Sequence, residues 1–322
     1  MEMRKAFVFL ALACAGAAAF AQGYPNKPIR LVVGFAPGGA ADIIARTMSD
    51  PLARALGQGI IVDNRPGAGS SVAAELVAKS PADGYTIMIA SQSGMIINPI
   101  INKNVGYVTT RDFVALTQVS SSPLVVAVNP SLKVTSIAEL IAEAKRSPGK
   151  LNYATSGNGS LPHLATTLFS AIAGVKMEHV PYKSGGQSVQ SVLAGDTQVT
   201  FATAPSVMPL VQSGRLRGIA VTTRARSPLI PGLPGMEEAG LSGYNVSIWY
   251  GFFAPAGTPR EIVARLFKAT AQAVQDPKLK QVLATDGTEA LASSSPEAFA
   301  AFLREETEVT ARVIRESGAK FE

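Results

Sequence analysis

Short aliphatic and β-branched runs alternate along the chain with stretches in which apolar residues recur every three or four positions. The pattern predicts strands at 29–34, 59–63 and 86–90, separated by helices at 41–56 and 70–79. After an irregular stretch at 98–112, residues 124–128 read as a fully buried strand, and Ser136 opens a helix to about Arg146. A second series follows, with strands at 151–154, 178–180, 197–201 and 218–221 and helices at 161–173 and 187–194. The Pro- and Gly-rich segment 228–243 reads as a surface loop. A strand at 247–254, a helix from Thr258-Pro259 to about Val274, a short helix at 278–283 and a terminal helix from Ser295-Pro296 complete the chain.

Strands alternating with helices imply an α/β fold with parallel sheets and crossover helices. Two such series, with a return strand and C-terminal helices, predict two lobes with a cleft between them. Residues 22–122 and 247–322 form a discontinuous first lobe and 123–246 the second, with hinge crossings near 120–122 and 243–247.

Composition narrows the function. Of 322 residues, 47% are hydrophobic and 16% charged, which excludes a disordered chain. One cysteine and two histidines leave no disulfide framework and no thiolate-rich metal site. No metal-ligand spacing and no cofactor fingerprint occurs: Gly67-Ala68-Gly69 has Val72 where a dinucleotide loop needs its third glycine. Phosphate-loop and nucleophile-elbow motifs are absent from the sequence. The net charge of +6 is scattered, so no nucleic-acid partner is expected; a mild positive field drawing in small anions fits instead.

The N-terminus carries Arg4 and Lys5, an apolar stretch at 6–19 and Ala19-Phe20-Ala21, the pattern of an export signal over residues 1–21. About 14 apolar residues are too few to cross a hydrocarbon core, which needs about 20. Cleavage after Ala21 removes Cys14 and places the mature chain in the periplasm.

Candidate chemistry lies in the loops that follow the strands. Ligands of open parallel sheets bind at the carboxyl ends of strands, where helix N-termini expose amides and a positive dipole end to anions. Here those positions hold Ala36-Pro37-Gly38-Gly39-Ala40-Ala41-Asp42, Arg65-Pro66-Gly67-Ala68-Gly69-Ser70, Ser91-Gln92-Ser93-Gly94, Thr155-Ser156-Gly157-Asn158-Gly159-Ser160 and Tyr182-Lys183-Ser184-Gly185-Gly186. Five such loops shared between two lobes predict one anion site between them. Asp42, in the first turn of its helix, is read equally as a helix-stabilising acid and as a ligand contact. His163 reads as a capping or packing residue, and nothing pairs a nucleophile with a base, so no enzymatic activity is expected.

The chain also resembles a known family. Tyr24-Pro25 with Lys27-Pro28-Ile29-Arg30, the run to Asp42 with Pro37-Gly38-Gly39, Asn64-Arg65-Pro66-Gly67-Ala68-Gly69, and Ala82-Asp83-Gly84-Tyr85-Thr86 appear in order. Then come Tyr153-Ala154-Thr155-Ser156-Gly157, Val180-Pro181-Tyr182-Lys183, and Trp249-Tyr250-Gly251 with Phe253-Ala254-Pro255. Together they resemble the extracytoplasmic receptors of tripartite tricarboxylate transporters, the Bug family, from about Tyr24 to the chain end. The resemblance implies a type II periplasmic-binding-protein fold whose lobes close on a small organic carboxylate. It also implies a membrane permease as partner, a commonly monomeric state, and a carboxylate held by amides, hydroxyls and waters without a dedicated arginine. Carried over by position, it places Ala36, Gly39, Ala40, Asp42 and Ser91 on the ligand from the first lobe. Thr155, Ser156, Ser160 and Tyr182 face it from the second.

Two departures bear on specificity. Family members often carry an Asp soon after the position of Phe201, where this chain reads Ala202-Thr203-Ala204-Pro205, which tilts the expectation toward a carboxylate without an amine. Ser184 replaces a common glycine and adds a hydroxyl. Two other functions stay open on sequence grounds: an exported carboxylate sensor docking on a signalling partner, and an exported α/β hydrolase or isomerase using Asp42 or His163.

Overall fold

The structure, a computed structural model, describes residues 23–317. The segment read as an export signal, 1–21 with Cys14, lies outside the described residues. Ten strands and the helices between them form two βα layers that share one long strand. In the first, β1 (Ile29–Val33) lies between β2 (Ile60–Asn64) and β3 (Thr86–Ser91), all parallel. α1 (Ala40–Leu56) and α2 (Ser71–Ala78) are their crossovers. The alternation of β1 explains the layering: Ile29, Leu31 and Val33 join the core that contains Ile44, Met48 and Leu52 of α1, while Val32 joins the one containing Ala73 and Val77 of α2. Each such fully buried side chain contributes about 1.5–3 kcal/mol.

β4 (Phe113–Val128) is the shared strand. Its first part pairs antiparallel with β9 (Ser247–Pro255), out to Ser122 opposite Ile248 and Pro123 opposite Ser247. From Leu124 onward its partners are β7 (Val199–Thr203) and β8 (Arg217–Val221), one on each side. A two-residue strand β10 (Glu289–Ala290) flanks Ser120 and Ser121. Beyond β7 lie β5 (Asn152–Thr155) and β6 (Glu178–Pro181), both parallel to their neighbours. Where the chain changes sheets, the Thr222 hydroxyl accepts from the Leu124 amide at 2.8 Å and donates to the Val246 carbonyl at 2.7 Å. One side chain thus joins both crossing segments.

The sequence reading places most elements; it has no counterpart for the two-residue β10, and three further differences stand out. β4 begins at Phe113 rather than 124, because its first half is interrupted by the polar run Ser120-Ser121-Ser122 and by Pro123, which reads as a strand breaker. The segment read as irregular contains the short helices α3 (Asn98–Ile101) and α4 (Thr109–Asp112), and a π-helical turn (Ser93–Ile97) precedes it. α8 (Ala204–Gln212) has no counterpart in the reading, since it carries Pro205 at its start and Pro209 inside. The remaining helices are α5 (Ile137–Arg146), α6 (Leu161–Ala173), α7 (Gly185–Ala194), α9 (Arg260–Val274), α10 (Pro277–Thr285) and α11 (Pro296–Ser317). α11 returns to the first layer: Phe299 packs over Gly251 so closely that a Cβ there would lie 2.3 Å from its ring. Among the described residues, no helix is long and apolar enough to cross a membrane.

Candidate functional site

Between the two layers lies a cavity of about 20 Å³, room for about one water centre. Its walls come from both sheets. Phe35, Gly39, Ala40, Ala41, Ser91 and Ser93 form one side, Ser156, Pro162, Gly185 and Thr203 the other, and Ile248 with Tyr250 of β9 the rest. Among the described residues, no charged side chain lines it.

The helix starts explain why an anion suits this cavity. Gly39 is the N-cap of α1 and offers no side-chain cap; α7 begins at Gly185, and Thr203 is the N-cap of α8. Pro162 stands in the first turn of α6. First-turn amides have no acceptor inside their own helix, and each helix start carries about half a positive charge. Four helix N-termini therefore meet at one uncharged cavity.

Hydroxyls supply the remaining donors. Ser91 is 1% exposed and its Oγ has no hydrogen-bond partner in the structure. An orphaned buried hydroxyl costs stability unless something satisfies it. The Tyr250 phenol is pushed far above its ordinary range by burial, so it remains a protonated donor at any physiological pH. Ser93 Oγ is already engaged, accepting from the Leu161 amide across the cleft at 3.0 Å.

The residues expected at the site separate into two groups. Gly39, Ala40, Ser91 and Ser156 line the cavity. Ala36, Asp42, Thr155, Ser160 and Tyr182 do not, and each has work nearby. The Ala36 amide donates to the Lys183 carbonyl across the cleft at 3.2 Å. The Asp42 carboxylate, 4% exposed, accepts from the Gly38 amide (3.0 Å), Arg46 Nε (2.9 Å) and Asn64 Nδ2 (3.0 Å). Burial pushes its pKa up, but those three hydrogen bonds outweigh burial and hold it below the ordinary value. Its charge is thereby used to brace the Pro37-Gly38-Gly39 loop. Ser160 caps α6 by accepting from the His163 amide at 3.3 Å. Ser184, the added hydroxyl, caps α7 by accepting from Gln187 in the same way. Tyr182 donates to Ser191 Oγ at 2.6 Å and lines a separate, wider groove with Pro37, Gly38 and Lys183.

Thr155 Oγ1 accepts from the Gly157 amide at 3.1 Å and lies 2.6 Å from His179 Nε2. The His179 ring stacks on Tyr153 and on His163, 3.9 Å from the latter. Burial lowers the pKa of both histidines, and their proximity lowers that of His163 further. Both are neutral at pH 7 and form a stacked plate beneath the 155–160 loop, which agrees with a packing role for His163. Thr203 and Tyr250 also line the cavity and are not among the residues expected there, Thr203 because the helix it begins has no counterpart in the sequence reading. Among the described residues no cluster of His, Cys, Asp or Glu could hold a metal ion.

Comparison with known proteins decides the family. The model of the tripartite tricarboxylate transporter family receptor, TctC, matches residues 44–319. The chain belongs to this receptor family. The BugT protein of Bordetella pertussis is 34% identical over 97% of this chain and 96% of its own length. An R. palustris protein solved with adipate superposes with a TM-score of 0.88 at 34% identity, covering 92% of this chain and 98% of that one. MatC from Rhodopseudomonas palustris with bound malate superposes at 0.86 with 27% identity, covering 90% and 100%. The fold is the two-lobed α/β architecture of periplasmic binding proteins. As a TctC-family solute-binding receptor the protein is not an enzyme, and the hydrolase alternative falls with that assignment.

Proposed function

We propose that this receptor is exported, loses residues 1–21, and as a periplasmic monomer captures a small organic carboxylate for a tripartite tricarboxylate transporter permease. In this reading the lobes are 22–122 with 247–322, and 123–246, and they part about the β4 and β9 crossings. The observation that carries the proposal is the meeting of four helix N-termini at a cavity without a charged side chain. Uncharged donors preorganised around a small space favour an anion and give an ammonium group no counter-charge. Adipate and malate, bound by two relatives, are carboxylates without an amine.

The ligand contacts proposed are the amides of Gly39 and Ala40, the Ser91 and Ser156 hydroxyls, and Thr203 and Tyr250. Ala36, Asp42, Thr155, Ser160 and Tyr182 support them from behind. Calorimetric titration of protein stripped of ligand by unfolding and refolding tests this with adipate, malate, citrate and glutamate. At least one amine-free acid is expected to bind and glutamate is not. Silence from every carboxylate overturns the reading.

A further inference from the structure

The sheet of the first layer loses a strand beside the cavity, and one side chain takes its place. β3 and β9 pair as far as Ser91 opposite Tyr250, where β3 ends. Gln92 is already helical (φ −50°, ψ −32°) at the start of the π-helical turn, so its backbone cannot carry the ladder on. Its side-chain amide does so instead, donating to the Ser247 carbonyl at 2.8 Å and accepting from the Trp249 amide at 3.1 Å. Those two backbone groups flank Ile248 on one edge of β9, and a single residue of a parallel neighbour would take the same pair. β4 holds the other edge, with Ser122 opposite Ile248. The network fixes which way the amide points, since only its oxygen can accept and only its NH2 can donate. Gln92 is 4% exposed, so water competes little for either bond.

Ser91 and Ser93, on either side of Gln92, line the cavity, and so do Ile248 and Tyr250, on either side of Trp249; Gln92 itself does not. One amide thus ties two stretches of wall together from behind. Just before Ser247 the chain is held by the other layer: the Val246 amide donates to the Thr222 carbonyl at 2.9 Å, and the Val246 carbonyl accepts from the Thr222 hydroxyl at 2.7 Å. The change of partner falls on the single link between Val246 and Ser247. We propose that Gln92 is a positioning residue of the cavity wall, a side-chain peptide group that binds the start of β9 to the first layer, so that Ile248 and Tyr250 keep their place beside Ser91 and the chain turns between lobes at Val246-Ser247. Its bearing on affinity rests on the reading of the cavity as the carboxylate site.

Gln92→Met keeps the length of the side chain and removes both bonds. In ligand-stripped protein, hydrogen exchange of the Trp249 amide read by NMR is expected to quicken by about tenfold or more, and titration with adipate and malate to show binding weakened by about tenfold. Gln92→Glu separates positioning from packing. A carboxylic acid has the donor and acceptor of the amide, whereas a carboxylate sets a negative oxygen against the Ser247 carbonyl, and burial raises the pKa at which one becomes the other. Its affinity is expected to match wild type at about pH 5 and to fall by about tenfold at about pH 8. Each value is compared with wild type at the same pH, which cancels the titration of the guest and of the protein's other groups, Glu306 of α11 with its burial-raised pKa among them. A ratio that does not change with pH overturns the proposal, as does an unchanged Trp249 amide in Gln92→Met. If Gln92→Glu does not fold, wild-type affinity in Gln92→Met overturns it. If neither acid binds wild type while the Trp249 amide quickens in Gln92→Met, the positioning of β9 stands and the carboxylate-site reading falls.

Discussion

The two walls of the cleft use the same local device, a glycine-rich turn into a helix, and spend its donors differently. On the first wall α1 starts at Gly39 with no side-chain cap, so the first-turn amides are left for whatever enters the cavity. On the second wall α6 and α7 start at Ser160 and Ser184, whose hydroxyls already accept from the third amide of each helix. In the proposed site the first wall is thus an uncompensated cradle whose free amides would be satisfied by the guest. The second is self-satisfied at α6 and α7, and only α8, behind Thr203, starts there without a side-chain cap. The acid of the first wall, Asp42, fits this division: it faces Gly38, Arg46 and Asn64 and holds the cradle's shape.

The change expected to break this asymmetry most strongly is Ala40→Pro. Proline suits the first position of a helix, and Gly39 before it is already extended (φ −86°, ψ 166°), so the backbone needs no adjustment while one cradle amide is lost. A hydrogen bond to a charged group is worth about 1.5–3 kcal/mol, so affinity for the bound carboxylate is expected to fall by about 10-fold or more. The melting temperature of the free protein should hardly move. Equal affinity, measured by titration calorimetry, would show that the guest does not rest on α1.

Asp42→Asn tests the brace. It leaves one oxygen to accept from Arg46 and Asn64 but sets an NH2 against the Gly38 amide and removes the charge that Arg46 faces, and should cost about 1–3 kcal/mol of stability. Because folding lowers the Asp42 pKa, wild-type stability from this group is complete above the ordinary carboxylate range and is lost as pH falls through the lower folded value. The variant should melt lower at pH 7, and the difference should shrink toward pH 3. A constant difference would mean that the carboxylate charge is not what braces the loop.

The second wall should respond to pH in another window. The histidine pair is neutral in the folded state, with His179 lowered to about 4 from an ordinary value of about 6.5. The unfolded chain binds protons first on this account, so stability is full above about pH 6.5 and declines as pH falls toward 4. Hydrogen exchange at pH 7 and pH 5 should show weakened protection at 153–163 while 29–45 is unchanged. Uniform loss in both regions would count against a local origin in the stacked plate.

Much of this architecture could be read in the residues, for a physical reason. Buried parallel strands need long apolar runs and their helices need caps, and both leave periodic marks such as 29–34 and Ser136. The site was readable as a set of loops and not as a set of side chains. A serine in a glycine-rich turn can cap its helix or face a guest, and residue type does not separate the two: Ser160 and Ser184 cap while Ser156 lines the cavity. Asp42 gave no sign in sequence of its partner Asn64, 22 residues away. Thr203 was hidden because Pro205 and Pro209 disguise the helix it begins, although proline in the first turn is itself a starting signal.

The smallest expected effect separates the two kinds of serine directly. Ser160→Ala removes an N-cap and should lower stability by about 1 kcal/mol, a shift of a few degrees in melting temperature. Its hydroxyl points at the His163 amide, so affinity for the carboxylate should stay within about twofold. Ser156→Ala should do the reverse, leaving the melt unchanged and weakening binding by about 1 kcal/mol if its hydroxyl meets the anion. Measured together by calorimetric titration and thermal melts, the pair isolates what the second wall gives the guest. A Ser160 variant that binds worse and melts normally would mean that the hydroxyl turns from its cap to the ligand on binding, and the second wall would then be a cradle like the first.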